Sequence, residues 1–157
     1  TGVLNRRALM ERLGGELDRA RRYGHAVAVL MLDLDHFKQI NDTLGHLVGD
    51  GVLRELGELL RGAVRTADFV ARYGGEEFVL VLPETSAEGA VAFADRVREK
   101  VAHHPFGNVA GVSLAISASI GVALFPAPRI ATVEELLSAA DTALYRAKAD
   151  GRNRVHH

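Results

Sequence analysis

The residues of this chain with the clearest capacity for chemistry are acids placed at turns. In Arg72-Tyr73-Gly74-Gly75-Glu76-Glu77-Phe78, two carboxylates follow a Gly-Gly pair, between strand-like runs at Asp68 to Tyr73 and Glu77 to Leu82. Such a connection reads as a tight hairpin whose two central glycines sit at positive φ. Taken alone, it fits a solubilising acidic tip as well as a site. Glu76 and Glu77 are neighbours, so on a regular strand they point to opposite faces: one suits a ligand role, the other a supporting one. A second acidic pair, Asp33 and Asp35, follows the apolar run Ala26 to Leu32. At a spacing of two, both project from one face while the chain stays extended, and a backbone carbonyl at Leu34 is free to face a cation. If the hairpin pairs beside that run, Glu76 comes near Asp33. Two carboxylates and a carbonyl are hard oxygen ligands that suit Mg²⁺, which keeps waters and takes phosphate oxygens from a substrate. Asp35 has a second reading, as N-cap of the helix that follows it.

Asn41, His46 and Asp50 spread over a polar loop and the first turn of a helix. Guanine presents its N1 and N2 protons as adjacent donors; an ionised Asp50 only accepts, and Asn41 supplies mixed contacts, a combination that favours guanine over adenine. Asp50 near a helix start also reads as an acid that complements the helix dipole. Lys148 and Arg152, four apart at the end of the last helix, fit a clamp on a polyphosphate, with Lys38 reaching the same anion; the plainer reading is favourable charge at a helix C-terminus. Arg65 and Asp68, by spacing, form a surface ion pair worth little. No histidine spacing suits a metal, and no Ser/His/Asp or P-loop pattern occurs.

The elements that must hold these residues follow from periodicity. Leu9, Leu13, Leu17 and Ala20 mark an amphipathic helix over Arg7 to Tyr23, and Ala26 to Leu32 a strand buried on both faces, expected at the centre of a sheet. A short helix starts near His36, and a longer one carries Val48, Val52, Leu56, Leu59, Leu60 and Val64 on one face. Beyond the hairpin, Thr85 with Glu88 forms a capping-box signal for a helix bearing Ala90, Val91, Ala94, Val97 and Val101. His104 to Gly111 reads as a loop or short strand. Leu114 to Leu124 alternates as a strand, and Thr132 with Glu135 caps a last helix that Gly151 closes. The order αβααββαβα indicates an α+β fold with a mixed, mostly antiparallel sheet in a palm or ferredoxin-like arrangement.

At 157 residues, 48% apolar and 25% charged, the chain suits one soluble domain with a single core. A net charge of −1 offers no global basic field for a nucleic-acid polymer, so any anion site is local. The lack of cysteine excludes disulfides, thiolate-bound zinc and a cysteine nucleophile. No apolar run approaches the ~20 residues of a membrane span, and no signal peptide is visible, so a cytoplasmic domain without membrane contact is expected. A start at Thr1 and an end at His156-His157 read as a single domain, 1–157, excised from a longer protein, with the last histidines a candidate tag remnant.

The chain resembles the GGDEF family of diguanylate cyclase domains from end to end. The resemblance is carried by Gly2 to Arg7, Asp33 to Asp42, Gly45 to Asp50, the signature Gly74-Gly75-Glu76-Glu77-Phe78, Ser119 to Ala123, and Ala143 to Arg154. It implies a palm-like fold and the condensation of two GTP into cyclic di-GMP with release of two pyrophosphates. It further implies that Asp33, the Leu34 carbonyl and Glu76 bind Mg²⁺, with Mn²⁺ as the alternative ion. Asn41 and Asp50 match the guanine readers, and His46 a position near the nucleoside. Phe37, Lys38, Lys148 and Arg152 match positions along the triphosphate, and the Gly74-Gly75 backbone the place of the α-phosphate. Glu76, Glu77 and Lys38 are the candidate catalytic residues. Arg65 and Asp68 stand where the family has an inhibitory product site, so feedback by cyclic di-GMP is expected. One GTP per chain implies a homodimer as the active state. The competing readings are a catalytically silent receptor for GTP or cyclic di-GMP, and a structural interaction domain.

Overall fold

The apolar run after the first helix becomes β1 (Val27–Leu34), the middle strand of a five-stranded sheet. The computed structural model describes residues 3–107, 111 and 113–157. Within them the order is α1 (Arg6–Tyr23), β1, α2 (Phe37–Leu44), α3 (His46–Ala63), β2 (Phe69–Arg72), β3 (Glu77–Pro83), α4 (Ala87–His103), β4 (Ala118–Phe125), α5 (Val133–Ala149) and β5 (Val155–His156). The sheet order is β2-β3-β1-β4-β5, antiparallel except for the parallel pair β4–β5. This is the expected mixed α+β architecture, with β1 central and the hairpin beside it.

Alternation along β1 divides the core in two. Ala28, Leu30, Leu32 and Leu34 pack with Val52, Leu56 and Leu60 of α3 and Ala94 and Val97 of α4. Val27, Val29 and Met31 face the other way, onto Leu9, Leu13 and Leu17 of α1 and Leu137, Ala140 and Leu144 of α5. Each of these large side chains, at or near zero exposure, contributes about 1.5–3 kcal/mol by leaving water. Continuing the period of two, Asp33 and Asp35 fall on the α1/α5 side. So do their register partners, since Asp33 lies between Glu77 of β3 and Ser119 of β4. The apolar layer under α5 thus ends in a polar row.

Gly121 of β4 sets how closely α5 can lie. A Cβ there would come within 2.1 Å of the Ala140 carbonyl oxygen and 2.2 Å of the Leu144 nitrogen, so the helix backbone rests directly on the strand. Gly45, at φ 89, ends α2 and begins α3 in a single residue, a backbone state that favours glycine. The segment before α1 runs beside β2: the Leu4 amide donates to Val70 and the Leu4 carbonyl accepts from Arg72, which covers that sheet edge.

Several local expectations need correction. The hairpin joins β2 to β3 through Tyr73, Gly74, Gly75 and Glu76, with the Tyr73 amide donating 2.8 Å to the Glu77 carbonyl, and neither glycine has positive φ. Helix α4 is capped by Ser86, whose hydroxyl accepts from the Gly89 amide, because the Thr85 hydroxyl is occupied by Pro83 and Arg65. Helix α5 is capped by Thr132 as expected, its hydroxyl accepting from the Glu135 amide, but the Glu135 carboxylate reaches back to the Thr132 hydroxyl and the Ala131 amide rather than to the Thr132 amide. The strand expected from Leu114 starts at Ala118; Leu114 pairs only in an isolated bridge with Phe106. Part of the His104 to Gly111 expectation, and Gly2, lie outside the described residues. The strand β5 was not anticipated. No helix among the described residues is long and apolar enough to cross a membrane.

Candidate active site

The C-terminal end of β1 gathers the acids. Asp33 sits with its side chain 13% exposed, and one oxygen accepts a 2.7 Å hydrogen bond from the Lys148 ammonium of α5. Its other oxygen, Oδ1, is buried without a partner. Burial lifts the Asp33 pKa above the usual carboxylate value; the Lys148 hydrogen bond and charge oppose the shift, while Glu76 and Asp35 add to it. A buried carboxylate with a free oxygen is a poor structural ion pair and a good ligand for a hard cation. Glu76, half-exposed at the hairpin tip, is close enough for its charge to act on Asp33. Among the described residues no three acidic or histidine side chains form a metal cage. Two carboxylates and a backbone carbonyl suit an ion that keeps its waters and shares phosphate oxygens, so the residues present fit Mg²⁺.

Glu77 lies opposite Asp33 in the ladder and folds back beneath the turn, where a Cβ on Gly74 would meet its Oε1 at 3.1 Å. A side chain at 74 would therefore press on the Glu77 carboxylate, while the backbone there is not at positive φ. Burial raises the Glu77 pKa, and the charges of Asp33, Asp141 and Glu76 raise it further against the pull of Lys148. The turn itself is held by Arg72, whose Nη2 donates 2.7 Å to the Gly75 carbonyl while Nε reaches the Gly74 and Gly75 carbonyls at 3.4 and 3.2 Å.

On the other side of the sheet, Asp50 of α3 lines a cleft of about 510 Å³ with Asn5, Arg54, Arg72 and Phe78. Asn41 of α2 lies over Gly49, where any Cβ would collide with its Oδ1 at 1.8 Å, and that oxygen is buried without a partner. Phe37, buried, packs against the same glycine. Lys38 and His46 are exposed, in the first turns of α2 and α3. Arg152 follows α5 at φ 64, its amide donating to Ala147.

Arg65 and Asp68 are more than a surface pair. The Asp68 carboxylate is fully buried and takes Arg65 Nε at 3.0 Å, Nη2 at 2.9 Å and the Arg65 amide at 2.9 Å. Nη2 also reaches the Pro83 carbonyl and the Thr85 hydroxyl, so this turn clasps the far end of β3.

Residues 1–154 match the family model for the diguanylate cyclase GGDEF domain. The chain belongs to the GGDEF diguanylate cyclase family. It is 46% identical over 155 residues to the diguanylate cyclase DgcP of Pseudomonas aeruginosa, covering 99% of this chain but 23% of DgcP. Among solved structures it is similar to the active GGEEF domain of a diguanylate cyclase from Vibrio cholerae, with TM-score 0.90 and 34% identity over 98% of this chain and 96% of that one. It is also similar to the GGDEF domain of DgcB from Caulobacter crescentus in complex with c-di-GMP, with TM-score 0.92 and 33% identity over 99% and 91% of the two chains.

Within this GGDEF domain, sequence reasoning passed over Arg72, although it stands two residues before the first glycine of the signature. It also left Asp35 between two readings. Asp35 does not cap α2, whose N-cap is His36 without a side-chain hydrogen bond. It is 4% exposed and accepts from the Ser117 hydroxyl at 2.6 Å, the Ser119 hydroxyl at 2.7 Å and the Asn153 amide at 3.0 Å. The spacing of two, which puts Asp35 on the face of Asp33, was the available signal; the partners lie more than 80 residues away.

Proposed function

We propose that this domain condenses two GTP molecules into cyclic di-GMP and two pyrophosphates. The reading rests on one observation above the rest: the buried, half-unpartnered carboxylate of Asp33 at the end of β1, beside the glycine-rich turn. Asp33, the Leu34 carbonyl and Glu76 would hold Mg²⁺ or Mn²⁺. When bound, such an ion offsets phosphate charge and favours ionisation of the attacking 3′-hydroxyl. Lys148 exchanges its carboxylate partner for the triphosphate, joined there by Arg152 and Lys38, with Phe37 beneath it. The Gly74-Gly75 backbone receives the α-phosphate, since the space a Cβ would fill at Gly75 is open. Asn41 and Asp50 read the guanine base with acceptors matched to its N1 and N2 protons, and His46 lies toward the nucleoside. Glu76 would accept the hydroxyl proton, and Glu77 would support the turn from below.

One chain supplies one GTP, so two domains must face each other, and the rate should rise more steeply than linearly with enzyme concentration while dimers are scarce. A strictly proportional rate over a wide dilution series would refute the paired mechanism. Arg65 and Asp68 form the product site for feedback inhibition, a reading supported by the DgcB domain having been solved with c-di-GMP. The decisive experiment mixes the protein with GTP and Mg²⁺ and looks for cyclic di-GMP by chromatography; GTP retained unchanged at dimer-saturating concentration would leave a silent receptor.

A further inference from the structure

We infer that Asp35 is a positioning residue that aims Arg152 at the triphosphate. The inference rests on the proposed contact between Arg152 and that group. After α5 the chain passes through three successive residues at positive φ: Gly151 at 123°, Arg152 at 64° and Asn153 at 47°. Only the first is glycine. For residues with a side chain that conformation is uncommon, and it persists where surrounding bonds over-determine it.

Those bonds converge from four elements. The Arg152 amide donates to Ala147 at 3.0 Å, which ties the turn to α5. The Asn153 amide donates to Asp35 Oδ2 at 3.0 Å, which ties it to the end of β1. Asn153 Oδ1 accepts from Arg98 of α4 at 3.1 Å, and the Arg154 carbonyl accepts from Ile120 of β4 at 3.0 Å. Asp35 is the buried charged member of this set, and its remaining capacity goes to Ser117 and Ser119 at the start of β4. The Asp35 amide adds a fourth tie by donating to the Ser117 carbonyl at 2.9 Å.

The consequence is geometric. Asp33 lies among the last residues of β1 and Asp35 just past its end, one next to the proposed cation and the other fixing the residue after Arg152. The distance between the cation site and the guanidinium is thereby referred to a single rigid strand end rather than to a free helix terminus. Asp35 touches neither group.

The test compares Asp35→Ala, Asp35→Asn, Arg152→Ala and the double variant Asp35→Ala/Arg152→Ala by calorimetric binding of GTP and of GMP. Asparagine can keep the acceptor for Ser117 and Asn153 and turn its amide to the Ser119 hydroxyl, so it should restore most of what alanine loses. Asp35→Ala should weaken GTP about tenfold and GMP far less, as loss of charge-assisted phosphate contact would. Adding Asp35→Ala to Arg152→Ala should change GTP affinity less than about threefold, because coupled residues are not additive. If Asp35→Ala does not fold, Ser117→Ala/Ser119→Ala, which removes the two hydroxyls that hold the Asp35 carboxylate, should weaken GTP selectively. Multiplicative losses in the double variant, equal losses for GTP and GMP, or a Ser117→Ala/Ser119→Ala variant with unchanged GTP affinity would overturn the inference. Unchanged GTP affinity in Arg152→Ala would instead remove the triphosphate contact on which it depends.

Discussion

Two acid–base pairs, Asp33–Lys148 and Arg65–Asp68, have similar contact distances of 2.7 and 2.9 Å and opposite degrees of saturation. Asp33 has one bonded oxygen and one buried oxygen without a partner, and burial works against its charge. Asp68 uses both oxygens, on two guanidinium nitrogens and a backbone amide, and the pairing raises the Arg65 pKa above its usual value. In the proposed site, the open oxygen of the first pair is where a cation would bind. The second is a clasp in which the acid is spent on the fold. At Arg65, 61% exposed, a ligand must use the guanidinium face turned away from Asp68, so the aspartate would act there mainly by holding the arginine.

The largest effect should break the first pair. Asp33→Ala should lower cyclic di-GMP formation by more than about 100-fold, beyond what loss of an outer-shell partner of a metal causes, without lowering thermal stability. Retained turnover would remove Asp33 from the cation site. Lys148→Met should split the pair's two tasks: GTP binding about tenfold weaker, and Mn²⁺ binding without nucleotide tighter, since a competing cation has gone. Titration followed by electron paramagnetic resonance reads the second, and unchanged Mn²⁺ affinity would mean the ion does not displace Lys148.

Arg65→Ala should abolish product inhibition and also destabilise the domain by about 1–3 kcal/mol, because it leaves a buried carboxylate short of donors. Inhibition measured at several product concentrations, together with melting, checks both; a full loss of inhibition with unchanged melting would show a clasp weaker than its geometry. The smallest effect concerns Glu77. Its raised pKa means the folded state binds its proton more tightly than the unfolded chain, so that stability is present below its ordinary pKa and is lost as pH rises through the folded value. Glu77→Gln should therefore raise the melting temperature at pH 8 by roughly 2–4 °C, and by less at pH 4. An equal gain at both pH values would point to packing rather than charge.

Much of this was legible from local pattern. The apolar run at Ala26 to Leu32 marked the central strand, and the spacing of Asp33 and Asp35 placed both on one face. Ile116, Ala118, Ile120 and Val122 do share the core, although the ladder takes up only from Ala118. What escaped depends on distant partners. Thr85 and Ser86 are equally good caps by sequence, and the choice falls to Ser86 because Arg65, 20 residues earlier, occupies the threonine hydroxyl. Val155–His156 is too short to signal a strand, and its parallel partner is 35 residues back, Val155 opposite Ile120. The Gly-Gly turn misled for a different reason: neither glycine is at positive φ, and at Gly74 a Cβ would press on the underlying Glu77 carboxylate, a contact that a turn rule based on dihedrals does not see.

The seat of α5 on Gly121 makes that helix a lever with its fulcrum in the middle of β4. Lys148 lies one turn beyond Leu144, about 6 Å along the axis, so a small tilt forced at the fulcrum is carried straight to the ammonium. The tolerance on the proposed grip of a phosphate is therefore machined into a buried position that has no side chain at all. A methyl group added at that point, far from any ligand, would detune the site while leaving every one of its functional groups in the sequence.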